Sequence, residues 1–169
     1  MSLSLNLFDR FHFAFVYFLR LSPGVATAAC LIALTVGYGF VILHECAHWL
    51  TARAFGVTGA IGFFTRRAES KVWFLSVMGV KFDDGEFARL TCSQIRLVAV
   101  SGPLSDVLAG LLCLIFGLAM PGPAWLSAGV ALAGLIYLPA SALNIVPLPL
   151  RNDGWLVLWP KAAFTPRKG

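Results

Sequence analysis

Apolar residues fall into three long blocks, and most of the polar residues gather between them. The first block runs from about Gly24 through Thr51, and no Lys, Arg or Asp occurs from Leu21 to Ala52. The second runs from about Leu97 to Met120 and the third from about Ala124 to Val146, where Pro147 and Pro149 stop a helix. A helix crossing a bilayer needs about 20 apolar residues, so each block is expected to be a transmembrane helix. A shorter run, Phe11 to Leu19, lies between Asp9-Arg10 and Arg20. It is too short to cross as a helix and is expected to lie in the membrane interface. Read as a signal peptide, this run would be the apolar region and Ala26-Thr27-Ala28 the cleavage site, but the segment before it is nearly neutral rather than basic.

Between the first two blocks the period changes. Val57 to Phe64 and Lys71 to Phe82 are rich in β-branched and aromatic residues and are bounded by Gly and charged turns, which predicts a hairpin at the membrane surface within the Gly56 to Ser93 loop. Phe63, Phe64, Trp73 and Phe74 would suit an interfacial anchor equally well. The fold class expected is an α-helical polytopic membrane protein. It has a three-helix core, an N-terminal interfacial helix and a small membrane-associated β-hairpin, all in a single domain over residues 1–169.

Composition agrees with a lipid setting: 59% of residues are hydrophobic, 12% are charged and the mean hydropathy is +0.81. The net charge of +5 does not point to nucleic acid, because the Lys and Arg are not massed on an aromatic-rich polar segment. Topology explains them instead. With three spans, one side of the membrane holds Arg10 and Arg20, and the other holds all eleven remaining Lys and Arg, from Arg53 to Lys168. The positive-inside rule makes the long loop and the C-terminus cytoplasmic.

Against this background the run His44-Glu45-Cys46-Ala47-His48 is the main chemical signal. Two histidines four apart lie on one face of a helix, where neutral imidazoles can take two positions on a zinc ion, with Glu45 beside them facing the water such an ion activates. Ionisable groups in a span are costly and by default functional, which weighs against a mere set of interhelical hydrogen bonds. His44 lies nine residues before Arg53, so the site is expected roughly 13 Å inside the cytoplasmic boundary. A hydrolytic zinc needs a third protein ligand and one open position. Of the eight acids only Glu45, Asp106 and Asp153 lie in or next to the spans. Asp153 ends a segment, Asn144 to Gly154, whose prolines break the helix and whose Gly154 permits a tight turn that can carry the carboxylate back to the metal. Such irregular backbone is tolerated at depth only around a cavity. Cys30, Cys46 and Cys113 fall within spans and Cys92 near the cytoplasmic face, so no disulfide framework is expected. Gly37 and Gly39 are expected to allow close helix packing.

These residues resemble the site-2 protease family of intramembrane zinc metalloproteases. His44, Glu45, His48 and Ala52 read as its HExxHxxxA signature, Ser101-Gly102-Pro103 as its small-Gly-Pro element, and Asn144 to Gly154 as its Asn-x-x-Pro…Asp-Gly element. Each motif sits on its own span in the family's order. The resemblance implies one zinc ion per chain with His44, His48 and Asp153 as ligands and Glu45 as general base and then acid. It implies for Asn144 a polar group that positions the substrate carbonyl or stabilises the oxyanion. Two positions depart from the commonest pattern: Asp153 follows Asn144 by nine residues rather than eight, and Asp106 stands where the family often has Asn. A carboxylate there could tune the zinc-bound water or hydrogen-bond the broken third helix, and is expected to support the site rather than to bind metal.

The implied activity is hydrolysis of a peptide bond in or next to a transmembrane segment, as in regulated intramembrane proteolysis. The partners are a transmembrane protein or peptide substrate, the lipid bilayer and, in principle, a regulatory membrane partner. A helical substrate shields its carbonyls, so it must unwind before attack, and the edge of the hairpin could receive the extended strand. Two other classes compete. A metal transporter would want a second ligand-rich helix and a polar route through both leaflets, but the third block is apolar from Ala128 to Ala140 except for Tyr137. A silent family member that holds partner helices would usually have lost Glu45 or a ligand, and none is lost.

Overall fold

In the computed structural model the described residues are Val16, 20–64, 77–147 and 152–161. Among them the order of elements is α1 (Pro23–Ala54), β1 (Gly59–Phe64), β2 (Val77–Phe82), α2 (Asp84–Phe87), α3 (Cys92–Ala119), α4 (Ala124–Ile145) and α5 (Asp153–Leu158). The helices α1, α3 and α4 are long and apolar enough to cross a membrane. Together with the two-stranded antiparallel sheet they give the helical architecture read from the sequence. Apart from Val16, the N-terminal run Phe11 to Leu19 lies outside the described residues, as do residues 71–76 of the expected second strand and Pro149.

Local chemistry explains where the helices begin and end. Pro23 opens α1, where its fixed φ suits the first turn and its missing N–H costs nothing. The same helix closes in a Schellman turn: Gly56, at φ 81°, donates to the Arg53 carbonyl and Val57 to the Ala52 carbonyl. α3 starts five residues before the apolar block does. Thr91 and Gln94 form a capping box, with the Thr91 N–H donating to Gln94 Oε1 at 2.9 Å and the Gln94 N–H to Thr91 Oγ1 at 3.3 Å. That reciprocal pair makes a helix start of polar residues that hydropathy does not reveal.

The described chain groups into two compact units. One comprises residues up to Gly39 and Leu108–Pro139. Here the helices approach through small residues: a Cβ on Gly37 would collide with the Tyr137 ring, and one on Gly117 with the backbone of Ala131. Gly39, expected to share this role, has open space beside it. The other unit comprises Phe40–Val107 and Ala140 to the C-terminus. Its apolar core gathers Ala52, Val57 and Val98 under Phe55, Phe82, Phe87 and Leu90. The sheet runs in register from Gly59 opposite Phe82 to Phe64 opposite Val77. It is tied to α1 by the Trp49 indole N–H, which donates to the Gly59 carbonyl at 2.9 Å. Glu86 on α2 accepts from both the N–H and the hydroxyl of Thr58 at the foot of β1.

The stretch after α4 differs from expectation in one respect. Gly154 was expected to serve a tight turn, but it is the second residue of α5, buried, and its missing Cβ lets the first turn of α5 rest on the Ile145 and Val146 backbone.

Candidate metal centre

His44 and His48 lie on successive turns of α1, with their Nε2 atoms 3.0 Å apart. Asp153, first residue of α5, brings its carboxylate to both: Oδ2 is 3.2 Å from His44 Nε2, and Oδ1 is 3.5 Å from His48 Nε2. Two ligands about 2.0–2.1 Å from a tetrahedral zinc stand roughly 3.3 Å apart. The three separations lie close to that value, the two histidines meeting different oxygens of the one carboxylate, so the group has the spacing a tetrahedral ion requires. Among the described residues this is the group of His, Cys, Asp and Glu whose ligand atoms cluster closely enough to hold a metal.

The rings are aimed by what they bond on the far side. His48 Nδ1 is 2.6 Å from the Val98 carbonyl. A carbonyl only accepts, so Nδ1 carries a proton, which leaves Nε2 to offer its lone pair to an ion once the ring is neutral. His44 Nδ1 is 2.7 Å from Asp106 Oδ2, which imposes the same tautomer. A carboxylate behind a ligating histidine fixes its ring and raises its basicity. Asp106 is buried on α3, where it touches His44 from the side away from the ligand triangle. Space for the rings is left by Gly102: a Cβ there would stand 2.7 Å from His44 Nε2 and would also clash with His48 Nε2. Pro103, next to it, is fully buried, and its carbonyl accepts from the Ser141 hydroxyl on α4 at 2.7 Å.

On the carboxylate side, Asn144 Nδ2 donates to Asp153 Oδ2 at 2.7 Å. Burial pushes the Asp153 carboxyl up, but its contacts with His44 and His48 outweigh that and hold it at about 2. It is therefore ionised at neutral pH, the form a metal needs. Glu45 is not in the triangle. It lines the same cavity of about 320 Å³, together with His44, His48, Asn144, Asn152 and Asp153. The remaining wall is apolar, contributed by β2, α2, α3 and α5.

Of the candidate site residues, His44, Glu45, His48, Asn144 and Asp153 line one cavity and Asp106 contacts His44 from behind it. Two others emerge only from the geometry. The Val98 carbonyl could not have been found, since every residue carries one. Asn152 could have been, because an Asn just before a helical run is a capping signal.

Three membrane-length helices, with two histidines on α1 and a carboxylate on the short α5 meeting at one cavity, define a polytopic membrane protein with a candidate metal centre. The family model of Peptidase family M50, the site-2 protease family, matches residues 30–152, and the chain belongs to that family. It is therefore an integral membrane protein of a protease family. The match stops one residue short of Asp153, whose assignment rests on the distances above. Searches among curated proteins and among solved structures return no match.

Proposed function

We propose that the chain is an intramembrane zinc endopeptidase that hydrolyses a peptide bond in or beside a transmembrane segment of another membrane protein, as in regulated intramembrane proteolysis. What supports this reading most is the triangle of His44 Nε2, His48 Nε2 and the Asp153 carboxylate, with Glu45 on the wall of the same cavity. Those three residues would hold one zinc ion. When bound, the ion polarises the scissile carbonyl and makes coordinated water acidic enough to attack at neutral pH.

The protein's own groups do the rest. Glu45 takes a proton from the attacking water as the bond to the carbonyl carbon forms, then hands it to the amine nitrogen as the C–N bond breaks. Asp106 and the Val98 carbonyl hold the two Nδ1 hydrogens, keeping both Nε2 atoms turned into the cavity. Asn144 spends one amide hydrogen on Asp153, which leaves its second for the substrate carbonyl oxygen. An unwound transmembrane segment is apolar, and Val80, Phe82, Phe87 and Ile95 give it an apolar wall to lie against. By the distribution of Lys and Arg, the site belongs in the cytoplasmic leaflet.

The test is cleavage of membrane-inserted candidate substrates by the purified protein in liposomes, with metal content measured in parallel. The native chain should cleave, and Glu45→Gln should lose on the order of 10²–10⁴-fold in rate while keeping about one zinc per chain, because a general base is not a ligand. Undiminished cleavage by that variant, or loss of its metal, would overturn the role given to Glu45.

A further inference from the structure

Asn152 occupies the one place where the end of α4 and the start of α5 must be joined. The last helical bond of α4 runs from the Val146 N–H to the Ala142 carbonyl. Pro147 has no N–H, so the Leu143 carbonyl loses its helical donor, and the carbonyls after it belong to a helix end that must find other partners. The Asn152 side-chain amide brings two N–H donors to this end. Its Nδ2 is 2.7 Å from the Val146 carbonyl, 3.0 Å from that of Asn144 and 3.4 Å from that of Leu143.

The other end of the same amide faces the next helix. Asn152 has extended backbone, at φ −72° and ψ −179°, and its Oδ1 accepts from the Trp155 N–H at 3.2 Å, the N-cap bond of α5. One short side chain therefore donates to the end of α4 and caps the start of α5, and Asp153 is the residue that directly follows. The link is closed from the opposite side by Asn144, whose carbonyl accepts from Asn152 and whose side chain donates to the Asp153 carboxylate. Asn152 and Asn144 hold Asp153 between them.

We propose that Asn152 is a positioning residue for the metal centre, using both halves of its amide to lock α5 onto the end of α4 so that the Asp153 carboxylate meets His44 and His48. Asn suits the position because it presents a donor and an acceptor on a side chain of this length. Ser or Asp can still cap α5, but neither can donate to the α4 carbonyls as an amide does.

The inference rests on Asp153 being a metal ligand, and the experiment separates the two claims. The full chain is purified in detergent as native protein and as Asn152→Ser, Asn152→Ala and Asp153→Ala, each loaded with cobalt(II) as a spectroscopic substitute for zinc. Affinity is read by competition with a chelator, ligand geometry from the visible cobalt spectrum, and fold from the thermal midpoint. Asn152→Ser, which keeps a cap on α5, should bind cobalt about 10 to 100-fold more weakly than native protein and with an altered spectrum, while its midpoint stays close to native. Asn152→Ala should lose as much affinity. Should Asn152→Ser fail to accumulate, the isosteric Asn152→Asp, which also keeps the cap and loses the donor, carries the same expectation. A native spectrum and affinity in the Asn152 variants, with binding lost in Asp153→Ala, would overturn the positioning role and leave the ligand assignment standing. Native binding in Asp153→Ala would overturn the ligand assignment and the positioning role with it.

Discussion

The space around the two Nε2 atoms is kept open by a residue with no side chain. A Cβ at Gly102 would come within 2.7 Å of His44 Nε2 and press on His48 Nε2. The rings are held from behind by Asp106 and the Val98 carbonyl, so they cannot retreat without breaking those bonds. Overpacking a tight site costs about 1–3 kcal/mol, and each 1.4 kcal/mol is tenfold in affinity. Gly102→Ala is therefore expected to weaken zinc binding about 5- to 150-fold in a chelator competition, whereas an unchanged affinity would show that the rings have room to move. At this scale much was legible in the sequence, for clear reasons. A spacing of four puts His44 and His48 on one helix face, and an acid next to an apolar span must have a use. The partner of each ring's Nδ1 was less legible. Asp106 stood out only as a supporting carboxylate whose contact with His44 depends on how α3 lies beside α1, and the Val98 carbonyl gave no sign at all.

Among the elements, the membrane helices were readable as apolar blocks because lipid demands continuous hydrophobicity of them. Their polar ends were not. α3 begins at Cys92 rather than near Leu97 because the Thr91–Gln94 capping box extends it through polar sequence. α1 runs on to Ala54 because the Schellman turn, not the last apolar residue, closes it. The hairpin was legible from its change of period, and its register is a matter of strand pairing that hydropathy does not encode. The stretch after α4 was read correctly as broken, from its prolines, but α5 was not foreseen. A helix of six residues has too little periodicity to register, and what starts it is the Asn152 cap together with the approach of Gly154 to the Ile145 carbonyl.

For the molecule as a whole, two claims remain to be measured: which way it faces and whether it holds zinc as assigned. The count of two Lys and Arg against eleven predicts that a cytoplasm-only reporter fused after Gly169 is active and one fused at the N-terminus is silent. Activity at both ends would mean that residues 3–21 also cross the membrane and that the site's leaflet must be reassigned. The central claim is that two histidines from α1 and one carboxylate from α5 form a single hydrolytic metal centre, and the Asp153 link carries it because the family match ends at residue 152. Removing that carboxylate would leave two histidines, too few for a tight zinc site. The direct measurement is the zinc content of the purified native chain beside that of Asp153→Ala. About one zinc per native chain and essentially none in the variant is the result predicted, and a variant that retains the native complement would contradict the account.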